Sequence, residues 1–402
     1  MASFLSSTLF LALIISAVAA QNGLILPIRK DPKTLQHIAT FKMGSNRAAI
    51  SAAVDLGGPF LWFSCNDYAS TTYAPIPCGS AKCDAAKGIG CVGCNLPPRP
   101  GCTNDTCGAS PYNPFLDVLV SQGYAEDTFY AKSGAPLPEY SFSCMDKDYL
   151  TGLAAGATGM LGLGRTQISL HRQASAKLNL PDAFSLCLPS SGAGKLEIGI
   201  KPRSVKTTPL LINPVSTYPI YTEGDASDEY FIDVRGIAVA GARLNLKDSY
   251  FSIDKNGVGG TKISTMQNFT AVHNSIYKPL ARAFAKAASD LGIRSAAAVA
   301  PFRACFSSSS IARTAAGPAV PEIELVLAGK DATWRMRGAN LMVEIDRKTT
   351  CLGFVDGGSS PRTAVVIGAH QLEENLLEFD LVSSQLRFSE SLLLSNTSCS
   401  RI

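Results

Sequence analysis

The chain has 402 residues, 46% hydrophobic and only 17% charged, which excludes global disorder and leaves enough chain for two packed cores. Its 36 Lys and Arg against 32 Asp and Glu give 36 − 32 = +4. With no long basic run, that balance argues against nucleic acid as a partner.

The first twenty residues read as a signal peptide. Leu9 to Ile15 is a short apolar core, and Ala17-Val18-Ala19-Ala20 supplies small residues for cleavage near Gln21. The run is shorter than the roughly 20 residues that span a bilayer, and nothing later is long and apolar enough. The mature chain is therefore expected outside the cell, with no membrane partner.

Ala48 to Ser64 has buried-strand character, broken by Gly57-Gly58-Pro59. Seven of the 12 cysteines crowd into the next stretch: Cys65, Cys78, Cys83, Cys91, Cys94, Cys102 and Cys107. Cys144, Cys187, Cys305, Cys351 and Cys399 are dispersed. Cys91-Val92-Gly93-Cys94 has the spacing of a metal knuckle, but the four His are scattered and a secreted chain oxidises its thiols. Disulfides are expected, and no metal or cofactor. Seven is odd, so at least one cysteine of the cluster bonds outside it. The proposed set is Cys65–Cys144, three bridges within the cluster, Cys187–Cys399 and Cys305–Cys351. Pro75 to Pro111 reads as an irregular, bridged excursion, and Tyr112-Asn113-Pro114 as the region of a flap. Three glycosylation sequons start at Asn104, Asn268 and Asn396.

A short helix is expected after Ser169, then a linker from Pro202 to Asp228. Tyr230 to Leu246 reads as strand, Gly turn, strand. Asn274 to Leu291 reads as the clearest helix, capped by Asn274, disturbed early by Pro279 and stopped by Gly292. Its core stripe is Ile276, Leu280, Phe284, Ala287, Ala288 and Leu291. Val343 to Val355, Ala364 to Ile367 and Leu376 to Phe388 read as strands, with a helix over Gln371 to Asn375. The two halves echo each other. Ala52 to Gly58 is answered by Gly260 to Met266, and Gly159 to Gly164 by Ala364 to Gly368. This predicts two related lobes, residues 21–206 with a Cys-rich insertion at 65–107, and residues 207–402.

On these segments the chain resembles the pepsin-like aspartic peptidase fold. Within it, the chain is similar to the plant xylanase-inhibitor-like group of endoxylanase inhibitors, xyloglucanase-inhibiting extracellular dermal glycoproteins and basic 7S globulins. The carrying residues are Val54 to Trp62, Gly159 to Gly164, Phe184 to Pro189, Gly259 to Thr265, Val299 to Phe302 with Cys305-Phe306, and Val366 to Phe379. The resemblance implies a mostly-β, bilobal fold of two barrels with a few short helices.

It also implies two Asp, one per lobe, sharing a proton in Asp-Thr/Ser-Gly loops. Asp55 matches the first, but Leu56 replaces the hydroxyl residue after it. Ser264 stands where the second Asp belongs, followed by Thr265 and Met266. A serine hydroxyl does not titrate in this range, so Asp55 has no acid/base partner. Asp254 reads as part of an Asp-Lys-Asn-Gly turn rather than a substitute. The expectation is a fold without peptidase chemistry.

What the family resemblance implies instead is inhibition of a microbial glycoside hydrolase, an endoxylanase or a xyloglucan endoglucanase. A cation on a second-lobe loop would enter a cleft holding two carboxylates. One such loop is Phe306 to Pro318, carrying Arg313. The other is Leu394 to Cys399. Here Ser395 stands where xylanase-inhibiting members have His, and Asn396 where xyloglucanase-inhibiting members have Arg. Arg313 lies two residues before the other inserting Arg, whose place Ala315 takes. The competing expectations are a residual aspartic endopeptidase and a storage-like or peptide-binding globulin.

Overall fold

The computed structural model describes residues 23–216, 218, 225–329 and 332–402; the expected signal peptide lies outside them, as does part of the expected linker. Strands dominate, and their composition explains why. Leu24–Lys30 alternates buried Leu24, Leu26 and Ile28 with more exposed neighbours, the period-two pattern of a strand with one face on a core. It pairs with Ala193–Ile198, which pairs with Ala183–Cys187. Ala183–Cys187 then pairs with Leu376–Asp380 from the far end of the chain, in register Phe184↔Phe379. Those two rings stack at 4.6 Å. Gln385–Phe388 and Lys206–Leu211 complete this antiparallel sheet, which joins the two lobes.

Each lobe repeats one arrangement. In the first, Ala48–Asp55 runs parallel to Gly159–Gly162, placing Asp55 opposite Gly162. In the second, Thr261–Ile263 runs parallel to Val365–Ile367, placing Ile263 opposite Ile367. The Gly at the first crossing is required. A Cβ on Gly162 would lie 2.5 Å from the Gly58 carbonyl, so the Asp55 loop packs this closely only against hydrogen. The echo between the halves is thus a structural repeat, and each copy ends in a loop at the lobe junction.

Several expectations need correction. The long helix spans Asn274–Asp290, but its cap is His273, whose side chain accepts the Ser275 amide. Asn274 instead donates to Asp356. Leu291, placed on the core stripe, is 64% exposed, because the helix ends before it; Tyr277 is buried instead. The expected linker contains the strand Lys206–Leu211, since its apolar Leu210 fills the inter-lobe sheet. The helix expected over Gln371 to Asn375 is a single turn, Ala369–Leu372. The excursion from Pro75 to Pro111 also holds a short helix, Ala81–Ala85, and the strand Thr106–Ala109.

All twelve cysteines are bridged: Cys65–Cys144, Cys78–Cys91, Cys83–Cys107, Cys94–Cys102, Cys187–Cys399 and Cys305–Cys351. Cys91 and Cys94 therefore take separate partners. Among the described residues no group of three His, Cys, Asp or Glu is arranged to hold a metal, and no helix is long and apolar enough to cross a membrane.

Candidate functional site

Asp55 ends its strand at the junction of the lobes, buried beneath the Gly57-Gly58 turn. Its Oδ1 accepts the Gly57 amide at 2.9 Å, and a Cβ on Gly58 would fall 2.7 Å from Oδ2. Burial pushes its carboxyl up to about 6; the Gly57 amide holds it back, and the Glu229 charge adds to the rise. Glu229 lies against the same turn and pairs with Lys262 at 2.6 Å.

The second loop copies this geometry with a different group. Ser264 Oγ accepts the Met266 amide at 3.2 Å and the Gln267 amide at 3.3 Å. The Met266 contact is the same two-residue reach that Asp55 makes to Gly57. Ser264 thus plays the turn-stabilising part of a carboxylate oxygen without carrying charge or a titratable proton. Thr265 crosses to the other lobe. Its hydroxyl donates to the Val54 carbonyl and accepts the Leu56 amide. The reciprocal bond has no donor, because Leu56 is a hydrocarbon buried in the core. Asp254 accepts the Asn256 and Val258 amides at 2.8 Å each, a local turn in keeping with its reading from sequence.

The expected flap region forms a small hairpin, Tyr112–Asn113 with Val118–Leu119. Tyr112 meets Tyr218 edge to face at 5.5 Å. Burial, and then the Asp55 charge, push the Tyr218 hydroxyl well above its ordinary range. Tyr218 and the Glu229–Lys262 pair were not singled out from sequence. No spacing signal marks them, because they reach Asp55 only through the fold.

The two second-lobe loops converge. Arg313–Thr314 forms a hairpin with Gly317–Pro318, leaving Ala315 and Ala316 at the turn. The turn and Leu394 line one open groove of about 570 Å³ together with Leu291, Ile293 and Val320. Arg313 does not project from the tip. It leans back to Glu344 at 3.2 Å, with its side chain 75% exposed. Ser395 ends the short turn Leu392–Ser395, and Asn396 follows in the left-handed region at φ 53°. Both are exposed, and Cys187–Cys399 anchors the segment.

The sequons differ in setting. Asn104 and Asn396 are exposed. Asn268 donates its side-chain amide to the Thr34 carbonyl of the other lobe at 3.0 Å.

Two family models match the chain, "Xylanase inhibitor N-terminal" over residues 37–200 and "Xylanase inhibitor C-terminal" over residues 229–390. A Nicotiana benthamiana protein named "Probable aspartic proteinase GIP2" is 43% identical over 401 residues, covering 94% of this chain and 91% of the relative. "Gamma conglutin 1" of Prunus dulcis is 35% identical over 392 residues, covering 94% and 89%. The crystal structure of edgp superposes with a TM-score of 0.92 at 40% identity, covering 95% of this chain and 98% of that one. That of soybean basic 7S globulin gives 0.81 at 30% identity, covering 94% and 98%.

Proposed function

Because the chain belongs to the xylanase-inhibitor-like family of pepsin-like folds, we propose that it is a secreted, non-catalytic protein that binds and blocks a microbial cell-wall glycoside hydrolase. The observation that carries the non-catalytic half is Ser264. A peptidase of this fold needs two carboxylates to share one proton, and the second position holds a hydroxyl tied to its own turn. The binding half rests on the convergence of the Arg313–Pro318 hairpin and the Leu394 segment on one exposed groove.

In this reading the mature chain is two lobes, residues 21–206 and 207–402, and the second carries the contact. Arg313 belongs to the hairpin, and Ser395 and Asn396 follow Leu394 directly in sequence. Arg313 is held by Glu344, so the hairpin tip and the apolar groove contribute more area than charge. Two bridges, Cys187–Cys399 and Cys305–Cys351, anchor the two loops before binding, which lowers the ordering cost of association. Size-exclusion chromatography with a secreted endoxylanase or xyloglucan endoglucanase tests this. A one-to-one complex is expected, and it should be lost when Thr314 to Ala316 are replaced by bulky acidic residues. No complex with any such enzyme counts against it.

A second reading, a storage or peptide-binding globulin, draws on the relatives named conglutin and basic 7S globulin. It is also favoured by the engagement of Arg313 with Glu344. It predicts abundance in seed and no glycanase complex. The name "aspartic proteinase" carried by some relatives makes residual peptidase activity a third case. Cleavage of denatured protein at acid pH, lost in Asp55→Ala, would establish it.

A further inference from the structure

A buried ionisable cluster joins the lobes away from Asp55. Lys30 and His37 face each other across the hairpin that opens the first lobe. His370 and Glu373 come from the helical turn that precedes the last strands of the second. Lys30 Nζ lies 2.6 Å from Glu373 Oε1. His37 Nε2 lies 3.5 Å from the same oxygen and 3.2 Å from the Pro189 carbonyl. His370 Nδ1 lies 3.8 Å from Glu373 Oε2. The His37 side chain is 0% exposed and that of Glu373 is 4%.

We propose that Lys30, His37, His370 and Glu373 form a pH-sensitive latch between the lobes, closed near neutral pH and released in acid by proton uptake at the two histidines. Among the described residues, His37 Nδ1 and His370 Nε2 are buried with no partner. A proton added to His37 Nδ1 becomes a buried donor without an acceptor, and on His370 only the Met342 backbone opposes the cost of burial. Nor is there a spare counter-charge. Lys30 pairs with Glu373 while that carboxyl is charged, and burial pushes the carboxyl toward its neutral form. Glu374, the other acid beside the cluster, is occupied by the Ser190 amide and hydroxyl and by the Cys399 amide. A charged histidine is therefore unwelcome while the junction stays shut.

The titrations follow. Burial, with Lys30 adding, pushes His37 down to about 3 and His370 down to about 4. Burial pushes Glu373 up to about 7, with Lys30 opposing. In an opened, hydrated junction these groups return toward 6.5 and 4.5. Between pH 6 and 5 the open form therefore holds about two more protons on the histidines and about one fewer on Glu373. The net uptake of about one proton makes opening rise about tenfold per pH unit as acid increases. Glu373 acts as a brake, because it takes its proton while the junction is still closed.

The Glu374 amide reports the state directly, since it donates to the Leu188 carbonyl of the other lobe at 2.9 Å. Hydrogen exchange at this amide in the full folded chain, corrected for intrinsic exchange, is the experiment. The wild type should open about tenfold more per pH unit from pH 6 to 5. His37→Gln keeps a donor for the Pro189 carbonyl and should be nearly flat. Glu373→Gln removes the brake and should steepen the dependence toward about a hundredfold. His370→Gln makes the same prediction as His37→Gln, should that variant fail to fold. A purely structural role would change the level of exchange in all variants but leave the slope alone. A pH-independent wild type, or histidine variants with the wild-type slope, would overturn the latch.

Discussion

The Thr265 hydroxyl of the second lobe donates to the Val54 carbonyl of the first across 2.5 Å. The same oxygen accepts the Leu56 amide at 3.1 Å. The reciprocal position, Leu56, is a buried hydrocarbon and returns no side-chain bond. Thr265 therefore ties together two loops that carry one acid, Asp55, and one hydroxyl, Ser264. Thr265→Val preserves shape and leaves a buried carbonyl and a buried amide unpaired. Each orphaned group costs roughly 1–3 kcal/mol. A loss of about 2–4 kcal/mol in urea unfolding is expected, and a loss below about 0.5 kcal/mol would mean that water replaces the clasp.

Asp55 should weaken the fold at neutral pH. Its carboxyl is raised to about 6 from 3.8, so the folded chain binds this proton more tightly than the unfolded chain does. The cost of the buried charge is present above pH 6 and disappears as pH falls through 6 to below 3.8. Asp55→Asn should therefore stabilise by up to about 3 kcal/mol at pH 7.5 and by almost nothing at pH 3.5. A pH-independent difference between the two proteins would contradict the burial argument.

Glycan occupancy should follow the local surface. Asn104 and Asn396 are exposed, whereas the Asn268 amide is committed to Thr34 across the lobe junction. Mass spectrometry of tryptic glycopeptides from the protein expressed through a eukaryotic secretory pathway should find glycans at the first two and none at Asn268. A fully occupied Asn268 would require the lobes to sit differently at Thr34.

Arg313 and Cys399 should separate binding from stability. The Arg313–Glu344 pair is exposed on both sides, so Arg313→Ala should change stability by less than about 0.5 kcal/mol. The Cys187–Cys399 bridge closes a separation of 212 residues. Its paired replacement by Ser should cost about 2–5 kcal/mol and weaken any complex that uses the Leu394 segment. Unchanged affinity in the Ser variant would remove that segment from the contact.

Much of the fold was legible because glycine and apolar runs fix it locally. Gly159 to Gly164 and Ala364 to Gly368 read as second strands, and both run parallel to the loop-bearing strands. The helix cap was misplaced by one residue because a histidine side chain accepts the Ser275 amide, a role that residue preference assigns to Asn. Lys206–Leu211 was hidden among prolines and polar residues; its pairing with Gln385–Phe388 is a contact between distant parts of the chain. The loops carrying Asp55 and Ser264 were readable from residue type. The surroundings of Asp55 were not. Glu229, Lys262 and Tyr218 reach it from separate segments with no periodic signal. The same holds for Lys30 and Glu373, which are 343 positions apart in the numbering and touch at 2.6 Å.

Inhibition kinetics test the central claim most directly. The purified protein would be titrated against purified microbial endoxylanases and xyloglucan-specific endoglucanases. Saturable one-to-one inhibition of one class is expected, undiminished by Asp55→Ala and abolished by substitutions at the Thr314–Ala316 tip. No inhibition across the panel, together with peptide-bond cleavage at acid pH that depends on Asp55, would contradict it.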